Sequence, residues 1–306
     1  MYYPYLRGKQ FDLLALTALI QAKRWSPKVM PIIEPVRDSA TLKKTIELFD
    51  QKSLPLYIVE NPQVGTFKLF NEKKHLWSLS KDSTVKRARI VTEADLKPAD
   101  LFLFNEHSPR SVQDIQHLMD LKAQMVIPDQ GRFRILPAEE RILLREAFQP
   151  RKHVADYGIK EDDFFTDNHL YYLEDGFAGY SDYTIEGSRY FDKGGPSRAI
   201  AIHITYFDAY LNLRVKHFVS DTNDSAKDQG LKFAEALNKL GRWYRRNQDQ
   251  VLFTMGLQEL LNYENEGKFP GLGTIKKWSL AHHLELLGSF LEQGDHWMKG
   301  MEQHGV

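Results

Sequence analysis

A short apolar run, a polar tip and then a helical stretch recur in that order along the 306-residue chain, and nothing else in the sequence constrains the fold as strongly. The runs begin near residues 2, 30, 56, 89, 101, 124, 142 and 179. KVMPIIEPV (28–36) ends at Glu34-Pro35, and Asp38-Ser39 then offers an N-cap for a helix over 40–51. LPLYIV (54–59) ends at Glu60-Asn61-Pro62, where proline stops the strand. Residues 63–87 read as helix with loops, 111–121 as an amphipathic helix, and 141–148 as a strand, although Glu139-Glu140 could open a helix there. Such alternation requires a mainly parallel sheet, and about eight units in about 250 residues is the size of a (β/α)8 barrel. An open doubly wound sheet is the alternative, but no Gly-rich phosphate turn follows the first run. The expectation is therefore an α/β, TIM-barrel-like domain spanning 1–306, with the barrel over 1–222 and extra C-terminal helices over 223–306.

Polar residues stand at nearly every strand end: Arg7 and Lys9, Glu34, Glu60 and Asn61, Glu93, Asn105 and Glu106, Asp129, Glu146, and Asp182. In a barrel these ends share one rim, so distant residues would converge on one mouth. Glu34, Asp129 and Asp182, with His203, are the expected catalytic groups, and Arg7, Lys9, Asn61 and Glu106 the expected substrate-binding ones. Gly8 lets backbone approach an anion closely, and Arg7 and Lys9 flank it with positive charge. Glu34, Glu60, Glu106, Asp129 and Asp182 supply oxygen donors of the kind a hard divalent ion such as Mg takes. Carboxylates at strand tips also serve as helix caps and turn formers, so neither cofactor nor metal is fixed by the sequence.

Two alternating runs, 198–207 and 213–219, are joined by the polar bend 208–212, as in an antiparallel hairpin near the C-terminal end of the barrel. It would supply the last strand or a flap beside it. Ile200, Ile202, Ile204 and Tyr206 form its more apolar face and are expected to pack on a helix around 231–240. His203 then lies on a face with Ala201 and Thr205, where a ligand or a neighbouring backbone has room. Residues 151–176 are acidic and aromatic without a clear period and read as a long excursion; His282-His283 read as half-exposed positions of a C-terminal helix.

Lys plus Arg and Asp plus Glu balance at 41 each, so net charge gives no indication of nucleic-acid binding. The absence of cysteine excludes disulfides, thiolate catalysis and Cys-ligated metal, and fits a cytoplasmic protein. No apolar stretch approaches the roughly 20 residues that span a bilayer, so no membrane association is expected.

The blocks YYPYLRGKQFDLLAL, VMPIIEPV, LYIVENPQVG, GFAGYSDYTIEG, AIHITYF and KHFVSDTND resemble the signature blocks of the uncharacterised phage-type "beta protein" family of phages and bacterial mobile elements, over residues 1–245. The family motifs fall on Arg7, Gly8, Glu34, Asn61, Asp182 and His203, and no catalytic role is carried over with them. The resemblance implies a barrel-like fold and a setting in phage-host conflict. Two function classes follow: an enzyme or sensor with an acidic, metal-capable mouth that handles an anionic or phosphorylated ligand, and a non-catalytic component of a phage-defence or toxin-antitoxin-like system that binds a protein partner encoded in the same operon.

Overall fold

The computed structural model describes residues 1–67, 83–92, 97–105, 108, 122–191 and 198–294. The helix expected over 111–121, most of the stretch 63–87 and Glu106 lie outside them. The chain forms two compact units, one of Met1–Leu13, Pro27–Glu146 and Asn168–Tyr183, the other of Leu14–Ser26, Ala147–Asp167 and Thr184–Val306.

The first unit is the TIM-barrel-like sheet that the alternation predicts. Its eight strands are β1 (Tyr5–Leu6), β2 (Ile32–Ile33), β3 (Leu56–Val59), β4 (Val85–Ile90), β5 (Leu101–Leu103), β6 (Gln124–Pro128), β7 (Arg141–Leu144) and β9 (Gly179–Ser181), all parallel and adjacent in that order. The sheet closes through a parallel bridge between Tyr2 and Tyr180. Tyr3 N donates to Tyr180 O at 2.8 Å, Tyr5 N to Asp182 O at 2.9 Å and Tyr180 N to Met1 O at 3.1 Å. Closure satisfies backbone groups that an open sheet would leave on two edges.

Every second strand residue points inward. Tyr3, Tyr5, Ile32, Tyr57, Val59, Ala88, Ile90, Leu101, Leu103, Val126 and Ile142 fill the interior as one buried cluster. Three of these are tyrosines whose hydroxyls need partners inside the barrel. Gln124 accepts from Tyr57 at 3.0 Å and from Tyr3 at 3.4 Å, and Glu34 accepts from Tyr5 at 2.5 Å. On the outer side of β5 and β6, Phe102, Phe104, Met125 and Ile127 pack against Phe133 and Leu136 from the connection to β7. That connection holds only two 3-10 turns, Gly131–Ile135 and Ala138–Glu140, in place of an α-helix.

The second unit holds a separate antiparallel sheet in the order β10 (Ala201–Phe207), β11 (Leu213–Val219), β8 (Asp162–Thr166). The hairpin forms as expected but supplies no barrel strand, because β9 already closes the barrel. The excursion over 151–176 contains β8, whose DDFFT sequence lacks the alternation of a half-buried strand and is held by pairing with Leu213–Lys216.

Helices α4 (Gln229–Asn247), α5 (Met255–Glu266) and α6 (Leu272–Gln293) complete the unit; α1 (Gln10–Gln21), α2 (Ala40–Gln51) and the short α3 (Asn168–Tyr171) precede them in the chain. Trp243 of α4 meets Tyr206 and Phe218, so the isoleucine face packs on α4 as its alternation predicts. α4 starts at Gln229, after a loop in which Ser225 Oγ accepts from Lys227 N and the Ser225 carbonyl accepts from Lys232 Nζ. His282 and His283 are fully buried, where the sequence suggests half-exposed positions. The reason is that α6 lies between the sheet and α5: His282 Nε2 lies 2.6 Å from Thr205 O and its Nδ1 2.7 Å from Thr254 Oγ1, and His283 Nδ1 lies 3.2 Å from Thr205 Oγ1. Among the described residues no helix is long and apolar enough to cross a membrane.

The closing seam has no spare room at Gly179, where a Cβ would stand 2.5 Å from Tyr3 Cε2 and 3.0 Å from Met1 O. Gly179→Ala is expected to cost about 1–3 kcal/mol, the range for overpacking a close contact. Urea denaturation of both chains checks this; equal midpoints and slopes would show that the seam does not hold the barrel.

Candidate functional site

At the C-terminal end of the barrel the chain brings together two of the expected residues, Arg7 and Glu34. β1 runs into Gly8, whose φ of +58° and close approach to Ile33 and Glu34 leave no room for a side chain. Arg7 is thereby turned onto Glu34, and Arg7 Nη1 and Glu34 Oε2 form an ion pair. Glu34 is fully buried; its Oε2 also accepts from Tyr5 at 2.5 Å, and its Oε1 accepts from Gln63 N at 2.6 Å. The Arg7 guanidinium lies 5.1 Å from the Tyr5 ring and 5.7 Å from that of Tyr183. Burial first, then the charge on Glu34, raises the Tyr5 hydroxyl well above its ordinary range. Arg7 thus has its counter-charge within the barrel.

The other rim groups have other partners. Asn61 clamps the end of β4, with Nδ2 donating to Ile90 O at 2.8 Å and Oδ1 accepting from Ile90 N at 2.9 Å. Lys9 begins the turn into α1, its backbone N donating to Asp12 Oδ2 at 3.1 Å. Asp182 follows β9 on the outward-facing parity, buried, and accepts from Tyr2 OH at 2.7 Å. Burial, then the charge on Asp182, raises the Tyr2 hydroxyl. Asp129 also faces outward, exposed, and pairs with Arg145 Nη2 at 2.5 Å. Glu34, Asp129 and Asp182 thus have three separate sets of partners, and among the described residues no group of three or more His, Asp or Glu is arranged to hold a metal ion.

Asp129 lies on the lining of a cleft of about 410 Å³ formed with Phe133, Arg134, Arg141, Arg145, Asp175 and Phe177. The cleft lies beside the short connection between β6 and β7, which holds two 3-10 turns and no α-helix. Arg141 and Arg145 stand at the two ends of β7 with the same outward parity as the buried Leu143. Arg145 is engaged by Asp129 and by Asn168 Oδ1 at 2.7 Å. Arg141 stacks on Phe177 at 5.5 Å; among the described residues its buried Nε has no hydrogen-bond partner and it makes no ion pair. Arg134, on the exposed side of its 3-10 turn, makes none among the described residues either. The strand-tip reading finds Asp129 here and misses the arginines, because Arg141 opens its strand rather than ending it.

His203 belongs to the second unit. It stands directly opposite His217 in the hairpin, Nδ1 to Nδ1 at 2.7 Å, and the space beside it is filled by Phe148 and Tyr157. Burial first, then His217, holds His203 well below the usual imidazole range. Burial also lowers His217, against the opposing pull of Asp163. The same cause brings His282 to about 4 and His283 to about 3.

The fold and the cleft define a TIM-barrel-like protein with an arginine-lined site on the outer face of the barrel. No family model matches the chain, no curated protein matches its sequence and no solved structure matches it.

Four depressed histidines in one unit fix the sign of its pH response. The unfolded chain takes up their protons near pH 6.5 while the folded unit stays neutral, so stability is full above that pH and falls below it. The slope approaches about 1.4 kcal/mol per pH unit for each histidine still neutral, with the raised Glu285 opposing it at lower pH. Urea midpoints followed by tryptophan fluorescence should drop steeply between pH 6.5 and 4.5. A flat profile across that window contradicts the buried neutral histidines.

Proposed function

We propose that the barrel unit binds a small anionic ligand, of the phosphate-ester class, in the cleft along β7. What supports this reading is one observation above the others: Arg141 is partly buried beside an aromatic ring, its buried Nε without a hydrogen-bond partner and its guanidinium without an ion pair among the described residues, while Arg134 across the lining likewise makes no ion pair among them. A desolvated guanidinium without a counter-charge is costly, and an oxyanion with two oxygens in one plane meets its donor geometry. Asp129 holds Arg145 in place, and the exposed Asp175, which makes no ion pair among the described residues, offers an acceptor for hydroxyls of the same ligand. The mouth with Arg7 and Glu34 is the weaker candidate, since its cation already has a buried counter-ion. The resemblance to the phage-type family would place such binding in a phage-defence or mobile-element setting, as a sensor or as the substrate site of an enzyme.

The competing reading, capture of a protein partner, draws on the excursion, where Ile159 is 87% and Leu173 67% exposed. Isolated apolar side chains are common on surfaces, so this observation weighs less.

Calorimetric titration with inorganic phosphate and with a sugar phosphate separates the two. The intact chain should bind the ester more tightly, and Arg141→Gln or Arg134→Gln should weaken binding about tenfold or more, as loss of a charge-assisted hydrogen bond requires. Unchanged affinity in both variants, or no binding by the parent chain at millimolar ester, contradicts the proposal.

A further inference from the structure

The N-terminal end of the barrel holds a second cavity, of about 480 Å³, that the reading of the β7 cleft does not use. Met30, Tyr57, Lys86 and Gln124 line it, and each continues the inward parity of the interior residue two places on, namely Ile32, Val59, Ala88 and Val126. The cavity is therefore the lower mouth of the barrel, at the opposite end from Arg7 and Glu34. Asp100 and Lys122, which stand just before β5 and β6, complete its polar lining.

Hydrogen bonding at the floor fixes what this mouth offers. Burial first, then Tyr3 and Asp100, raises the Tyr57 hydroxyl, and burial raises that of Tyr3 to about 12, so both stay protonated at neutral pH. Both donate to Gln124 Oε1, which leaves the Nε2 hydrogens of Gln124 for the cavity, since Nε2 has no partner among the described residues. Lys86 Nζ stands 6.0 Å from the centre of the Tyr57 ring, and neither Lys86 nor Lys122 makes an ion pair among the described residues. Asp100 Oδ2 accepts from Arg87 N at 2.9 Å, and its other carboxylate oxygen makes no hydrogen bond among them. The lining thus combines two positive charges and an amide donor with one negative charge that retains a free acceptor.

We propose that the lower mouth binds a small hydroxycarboxylate, a molecule of the size and kind of glycerate. The surplus of one positive charge over Asp100 matches the single charge of a carboxylate, whereas Asp100 repels a dianion such as a phosphate ester. The carboxylate takes Lys86, Lys122 and the Gln124 amide as donors, and the ligand hydroxyls donate to Asp100 and to the Tyr57 oxygen. The two ends of the barrel differ in this respect. Arg7 has a counter-charge from the chain itself in Glu34, while Lys86, on the inward parity at the other end, receives one from the ligand. The mouth shares no lining residue with the β7 cleft, so either site stands without the other.

Calorimetric titration of the whole chain with glycerate, combined with NMR of the glutamine side-chain amides, tests the assignment. Glycerate should saturate the chain and shift the Gln124 Nε2 resonances, a change read on the parent chain and independent of whether a variant folds. Lys86→Met and Lys122→Met should each weaken binding about tenfold, the loss of one charge-assisted hydrogen bond. Lys43→Met, on the exposed side of α2, should leave the affinity unchanged. Propionate, which has the carboxylate without a hydroxyl, and inorganic phosphate should both bind more weakly than glycerate. No saturation at millimolar glycerate, binding that leaves the Gln124 amide unshifted, or full affinity in folded Lys86→Met and Lys122→Met overturns the proposal. Propionate or phosphate binding as tightly as glycerate overturns the ligand class.

Discussion

The backbone hydrogen bonds between the N-terminal strand and the segment after residue 178 are the constraint on which the barrel depends. Tyr3, Tyr5 and Tyr180 donate across a seam that joins positions almost 180 apart in the chain. Without that seam β1 and β9 would be open edges, and the inward faces of eight short strands would have no common interior. Loop-closure entropy grows only slowly with separation, so one long closure costs little more than a medium one. The gain is burial of the interior cluster on all sides.

Closure also decides which polar groups become buried. An interior containing three tyrosines is tolerable only with acceptors inside it, and Gln124 and Glu34 supply them. Glu34 in turn needs a cation, which Arg7 provides, so the end of β1, the end of β2 and the loop at Gln63 form one hydrogen-bonded group. On the outer face the short link between β6 and β7 covers Phe102, Phe104, Met125 and Ile127 with Phe133 and Leu136, while Arg141 beside it makes no ion pair among the described residues.

Much of this was legible in the sequence. Apolar runs near the eight positions do become the parallel strands, and the tip residues that are described do stand where the runs end. What the runs could not give was the direction of each tip. Glu34 continues the inward parity of Ile32, whereas Asp129 and Asp182 continue the outward parity of Ile127 and Tyr180, and a two-residue strand such as β2 carries no visible alternation. β8 was hidden for a different reason: DDFFT becomes a strand through pairing with β11 some 50 residues later. His282 and His283 are buried where amphipathic spacing suggests half-exposed positions, because such spacing assumes one buried face and α6 has neighbours on two.

Amide hydrogen exchange at the seam tests the closed barrel most directly. If closure holds the unit together, the amides of Tyr3, Tyr5 and Tyr180 should exchange only through global opening, as slowly as those of Ile58 and Val126 in the middle of the sheet. Exchange at those three positions as fast as in a frayed terminus, with Ile58 and Val126 still protected, would contradict it.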